Sequence, residues 1–212
     1  MAEGGHIYVV AGTDGAGKSS VAGVTIRASG AEYFNPDEIA QTIRANDLGV
    51  RQEEANGRAW LAGKRLLERA IAERLEFAFE TTLGGNTIPA LLERALDAGI
   101  DVRVWYTGLR SLELHIARVK ARVARGGHDI PEGDIRRRYD LGRRNLVRLL
   151  PRLTELLVYD NSEEADPASG IAPKPRLVLH LKTRQIMNPE DLPDTPEWAK
   201  PIVAAALQLA GS

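Results

Sequence analysis

The 212-residue chain is 43% hydrophobic and 27% charged, with 28 Lys and Arg against 29 Asp and Glu for a formal net charge of -1. A disordered chain is excluded, and no overall basic excess draws nucleic acid or an anionic membrane to the surface. The absence of cysteine removes disulfides and thiol chemistry, and the four histidines, His6, His115, His128 and His180, stand too far apart for a metal held mainly by imidazole.

In chain order, residues 6–11 read as a strand. Its apolar part is too short for the core of a signal peptide, no basic residue precedes it, and no stretch of the chain is long enough to span a bilayer. The expected setting is the cytoplasm, with no membrane partner. A helix over 18–28 follows, then a short strand over 32–34 and helices over 37–45 and 53–74. Strands over 76–80 and 101–107 flank a helix over 88–98 that carries Pro89 in its first turn and stops at Gly99. Residues 111–125 form an amphipathic helix on Leu112, Ile116, Val119 and Val123, ended by Gly126-Gly127. A second long helix begins at Pro131, with Ile135, Tyr139, Leu146, Leu149, Leu150 and Leu153 on its apolar face and a kink expected at Pro151. Strand 156–159 comes next, then a polar loop over 161–174, a strand over 176–182, and a turn-rich tail closing on a short helix over 202–210.

Short apolar runs alternating with amphipathic helices predict an α/β fold, a mainly parallel sheet with helices on both faces in three layers. Residues 1–165 form the core, with a helical lid over about 118–152, and residues 166–212 a C-terminal extension packed on it as a single domain.

Directly after the first strand stands Gly12-Thr13-Asp14-Gly15-Ala16-Gly17-Lys18-Ser19, an unbroken match to G-x-x-x-x-G-K-[ST] between a strand and a helix. Glycines let the backbone wrap a phosphate chain, Lys18 reaches the β- and γ-phosphates, and the Ser19 hydroxyl can ligate Mg2+, with Ser20 completing the loop. ATP and Mg2+ are the expected cofactors. Motors and switches want an acid at the end of an apolar strand, but the run over 102–107 ends in Thr107-Gly108, leaving Glu80 and Asp160 as substitutes.

In open parallel sheets ligands sit beyond the carboxyl ends of the strands, and those ends supply Asn35, Asp37, Glu80, Thr81 and Thr82 beside the P-loop. That composition fits a pocket where a carboxylate holds an attacking hydroxyl. Asp37 suits this role, and equally that of a first-turn or capping acid of the helix after Asn35-Pro36. Cations to neutralise a transferring phosphoryl group should come from the arginine-rich stretch over 118–152. At about 100° per residue Arg137, Arg144 and Arg148 fall opposite the apolar face, whereas Arg138 borders it and can point inward. Arg125 sits where a glycine hinge could swing it over the phosphates, though periodicity does not prefer it to Arg122.

The set Gly12 to Ser19, Asn35-Pro36-Asp37, Phe79-Glu80-Thr81-Thr82, Arg125-Gly126-Gly127-His128 through Arg136-Arg137-Arg138-Tyr139, and Tyr159-Asp160-Asn161-Ser162 resembles the zeta toxin family of P-loop kinases. Members of that family characterised as toxins phosphorylate a sugar hydroxyl of UDP-N-acetylglucosamine with ATP and Mg2+, and a small antitoxin protein holds them off. The resemblance implies Lys18 as the phosphate-binding lysine, Ser19 as a Mg2+ ligand and Asp37 as the acid that activates the acceptor. It puts Glu80 and Thr82 in the acceptor pocket and makes Arg125 and Arg138 the pair on the transferred phosphoryl group. The resemblance also implies that Asn35 and His128 line the site and that Asn161 lies near the adenine. The expectation is an ATP-dependent small-molecule kinase acting on a hydroxyl, a nucleotide sugar being the leading acceptor. The competing reading is an ATPase switch or binding module that acts on nucleic acid or a protein. Near-zero net charge and 5% aromatic content count against its nucleic-acid form.

Overall fold

The computed structural model describes residues 4–23, 33–163 and 174–211. Seven strands form one sheet: His6–Ala11 (β1), Tyr33–Phe34 (β2), Phe77–Thr81 (β3), Asp101–Gly108 (β4), Glu155–Asp160 (β5), Arg176–Lys182 (β6) and Gln185–Ile186 (β7). Their order is β2-β3-β1-β4-β5-β6-β7, with β1 to β5 parallel and the last two antiparallel. Central β1 reads as a nearly continuous apolar run because both of its edges and both of its faces are covered. Its Val9 lies level with Phe79 of β3 and Val104 of β4, so the carboxyl ends of these three strands open at one edge.

The helices are Ser19–Gly23 (α1, wound as a π-helix), Pro36–Asn46 (α2), Gln52–Glu73 (α3), Thr87–Asp97 (α4), Leu112–Ala124 (α5), Glu132–Leu149 (α6) and Lys200–Ala210 (α7). The predicted helix over 18–28 is thus described only as far as Gly23, and most of the predicted loop over 161–174, like Glu32 at the start of the second predicted strand, lies outside the described residues. Local chemistry fixes several ends. Asn35 caps α2, its side chain accepting from the Asp37 backbone N–H at 2.9 Å with Pro36 in the first turn. Ser111 caps α5 through the Leu114 N–H at 3.2 Å. Pro151 does not kink α6 as expected; the helix ends at Leu149 and a 3-10 turn, Leu150–Arg152, carries Pro151 into β5. A proline ring blocks the carbonyl four residues back, and here the chain uses that block as a stop.

Ile7, Val9 and Ala11 point into the main core with Leu67, Leu92, Leu146, Leu149 and Leu156. The tail belongs to the same core: Val178, Leu179, Leu181, Trp198, Ile202, Val203 and Ala206 are all buried in it. A separate apolar cluster, Ile116, Val119, Ile130 and Ile135, ties α5 to the start of α6. Strand β7 goes unannounced in the sequence, because its hairpin turns on Thr183 and Arg184 at φ 45° and 67° with no glycine to signal it. Among the described residues no helix is long and apolar enough to cross a membrane.

Candidate active site

The P-loop leaves β1 at Gly12, whose φ is 143° and where a Cβ would fall 2.2 Å from the Thr107 carbonyl oxygen; only glycine passes β4 this closely. Gly17, at φ 79°, is equally constrained, since a Cβ would sit 2.5 Å from Asn161 Nδ2. That amide donates to the Ala16 carbonyl at 2.9 Å, so Asn161 braces the phosphate loop from the end of β5. His115 braces it from α5, donating from Nδ1 to the Asp14 carbonyl at 2.8 Å. A carbonyl only accepts, so Nδ1 carries the proton. Burial pushes the imidazole down to a pKa of about 4, opposed by this hydrogen bond and helped by Lys18, and Nε2 has no hydrogen-bond partner. Fully buried Tyr106 supports Thr13 through its hydroxyl, and desolvation pushes its pKa far up. Ser20 lies on the exposed side, its N–H bonded to the Gly17 carbonyl at 3.1 Å.

Lys18 and Ser19 meet Glu80, which the end of β3 delivers beside the P-loop. Ser19 Oγ donates to Glu80 Oε2 at 2.7 Å, and Lys18 Nζ lies 3.5 Å from Oε1. The Tyr33 hydroxyl adds a third bond to Oε2 at 2.9 Å, with Asn35 Nδ2 at 3.4 Å. Glu80 therefore stands beside the P-loop, at the border of the cavity in which the resemblance puts it. Asp160, the other substitute acid, is turned away: it accepts from the Ser162 N–H and hydroxyl and from Trp198 Nε1. Hydroxyl and carboxylate oxygens are the hard donors that Mg2+ takes, so Ser19 and Glu80 are the residues that fit it.

Asp37 projects from the first turn of α2 toward the loop between α5 and α6. Arg122 Nη1 is 3.9 Å from its Oδ2 and His128 Nε2 is 3.8 Å from its Oδ1. Arg122 also donates to the His128 carbonyl at 3.3 Å. Arg125 stands exposed at the C-cap of α5, outside this group. Between the two arginines that periodicity left equal, the structure brings Arg122 to Asp37. Arg138 reaches in from α6, with Nη1 3.0 Å from Asp14 Oδ2 in the P-loop and Nη2 3.8 Å from Asp134. Gly84 permits this approach, because a Cβ there would collide with the Arg138 backbone. Thr82 turns the chain after β3, its Oγ1 accepting from the Gly84 N–H at 3.3 Å. Buried Asn145 pins the same turn with bonds to the Leu83 and Gly85 carbonyls at 2.7 and 3.0 Å. Neither Asn145 nor Tyr33 carries a signal in the sequence; each is a polar residue inside an apolar pattern, which only the fold joins to the site.

Lys18, Asn35, Asp37, Glu80, Thr82, His128 and Arg138 all line one cavity of about 1120 Å³. Asp37 and the phosphate-loop residues Asp14 and Lys18 line it together, and it has room for a small molecule.

A phosphate loop on the central strand of a parallel sheet, beside an acid at the end of the neighbouring strand, makes this a P-loop kinase fold. Residues 4–166 match the family described as Zeta toxin, and the chain belongs to that family. An uncharacterized protein of Haemophilus influenzae is 34% identical over 133 residues, covering 60% of this chain and 88% of its own. The AvrRxo1-ORF1:-ORF2 complex crystallised with ATP superposes with a TM-score of 0.66 at 13% identity over 97% of this chain, which spans only 64% of that chain's length. The PezAT chromosomal toxin-antitoxin system of Streptococcus pneumoniae gives 0.56 at 12% identity, over 99% of this chain and 87% of that one. Strands β6 and β7 and helix α7 lie beyond the family match.

Proposed function

We propose that the protein is a kinase that moves the γ-phosphate of ATP to a hydroxyl of a small molecule, a nucleotide sugar such as UDP-N-acetylglucosamine. The observation that carries this reading is the shared cavity, which Lys18 and Asp37 both line. In the proposed reaction an acceptor hydroxyl oxygen bonds to the γ-phosphorus as the bond from that phosphorus to the β,γ-bridging oxygen breaks. ADP leaves, and the hydroxyl proton passes to the Asp37 carboxylate and from there to water. Lys18 and Arg138 neutralise charge on the phosphoryl oxygens, and Arg122 and His128 hold Asp37 in place. Mg2+ bound with the nucleotide at Ser19 and Glu80 would supply further positive charge at the phosphates. Cytoplasmic placement and control by a small antitoxin protein belong to the same proposal. Its support is family membership and a structural likeness to a toxin-antitoxin system.

The test is incubation with ATP, Mg2+ and a panel of nucleotide sugars, sugars and nucleosides, comparing wild type with Asp37→Ala and Lys18→Ala. A phosphorylated acceptor that depends on both residues is expected. Failure of every acceptor to gain a phosphate in an Asp37-dependent way would defeat the acceptor assignment.

A further inference from the structure

Asp14 stands in the phosphate loop at a position where the motif asks for no particular residue, and where a negative charge is out of place. It is the only acid between Gly12 and Ser20, in a segment whose N–H groups and Lys18 gather phosphate oxygens. A carboxylate there repels a triphosphate, and this one is not turned out to solvent, where water and salt would screen it. Asp14 is only 8% exposed and lines the cavity together with Lys18 and Arg138.

Arg138 Nη1 donates to Asp14 Oδ2 at 3.0 Å, and both ends of that bond are anchored. On the loop side, the Asp14 carbonyl accepts from His115, and a Cβ on Gly15 would fall 2.7 Å from the His115 carbonyl oxygen, so α5 holds the backbone that carries the carboxylate. On the other side, α6 packs so tightly on Gly84 that a Cβ there would lie 2.7 Å from Arg138 Cα. Asp134, one turn earlier on α6, is the alternative partner. At 3.8 Å from Arg138 Nη2 it is beyond hydrogen-bond distance, and it pairs with Arg137 at 2.8 Å. Arg138 thus takes its direction from the phosphate loop rather than from its own helix. A guanidinium is planar and rigid, so a bond at one nitrogen fixes where its other N–H groups point.

We propose that Asp14 is a positioning residue for phosphoryl transfer, aiming Arg138 so that its other N–H groups meet the phosphoryl group as it leaves ATP. This deepens the kinase reading above and rests on it for the reaction. The same negative charge lowers affinity for the triphosphate before reaction. Asp14 therefore weakens nucleotide binding while it speeds transfer, a combination that a mere strut between α6 and the loop would not show.

A double-mutant cycle on the full chain tests this. Wild type, Asp14→Ala, Arg138→Ala and the double variant are compared for transfer from ATP with Mg2+ to the acceptor panel given above, and for ATP affinity by calorimetry without acceptor. Asp14→Ala is expected to lower kcat by about tenfold to a hundredfold while ATP binds as tightly as to wild type or more so. Asp14→Asn, whose amide oxygen still accepts from Nη1, should recover part of the loss. In the Arg138→Ala background the Asp14 substitution should change kcat by less than about threefold, because the group it aims is gone. A kcat within about threefold of wild type for Asp14→Ala, a loss that persists undiminished without Arg138, or ATP affinity that falls in step with kcat would overturn the role. Transfer by wild type with any of those results sinks only the role of Asp14, whereas no transfer by wild type to any acceptor sinks the kinase reading and this role with it.

Discussion

Arg122 and Arg125 stand three residues apart, and the fold separates their surroundings. Arg122 contacts Asp37 and the His128 carbonyl, while Arg125 caps α5 in solvent. Arg122→Ala is therefore expected to lower kcat by about tenfold to a hundredfold through loss of positioning, with Arg125→Ala within about threefold of wild type. Steady-state kinetics of both variants measure it, and a reversed order would restore the arginine that the family resemblance selects. The resemblance transfers a role along the sequence, but only the path of the α5 to α6 loop decides which guanidinium arrives. Glu80 teaches the same lesson. A carboxylate after an apolar strand is legible, yet its bond to Ser19 depends on β3 lying next to β1, a pairing that no local pattern encodes.

His115 is the second test at this scale. Its folded pKa is held near 4 by burial, below the ordinary 6.5. The unfolded chain therefore takes up a proton first as pH falls. Stability is full above pH 6.5 and is lost progressively down to about pH 4, by about 2 kcal/mol at pH 5 from this residue. Urea denaturation at pH 7.5 and 5.0 checks it. His115→Asn can keep the bond to Asp14 without the titration, so its stability should fall by about 2 kcal/mol less between those two values than that of wild type.

At the level of elements, the turn between β3 and α4 is held from outside. Leu83 takes a left-handed φ of 54°, a conformation costly for a branched side chain, and Asn145 of α6 secures the loop by bonding the carbonyls on either side of Gly84. Asn145→Ala leaves those carbonyls unpaired and should cost about 2–3 kcal/mol in denaturant unfolding, with activity lowered through the displaced Thr82. A loss below about 0.5 kcal/mol would mean that the turn holds itself. Most elements are legible in the sequence because apolar periodicity, Asn35, Ser111 and Gly99 mark them. The end of α6 is not legible at Pro151, because a proline close to a helix end looks the same in sequence whether it bends the helix or stops it.

Across the whole molecule, the tail completes the core rather than decorating it. Trp198 closes over Gly108 at the end of β4, where a Cβ would meet its ring at 2.4 Å, and bonds Asp160 next to the residue that braces the phosphate loop. Trp198→Ala should destabilise the protein by about 3–5 kcal/mol and weaken nucleotide binding in the same variant, as thermal unfolding with and without ATP would reveal. The sequence marks this segment as a strand, a proline-rich run of turns and a short apolar helix, but not what they pack against. Its contacts are long-range, and an isolated tryptophan does not announce its partner.

Transfer of phosphate from ATP to a nucleotide sugar, followed by mass spectrometry for wild type and Asp37→Asn, tests the central claim most directly. Expected is a phosphomonoester of the acceptor in stoichiometric step with ADP, falling at least about a hundredfold in the variant. Equal product from both proteins, or ADP released with inorganic phosphate alone, would contradict it.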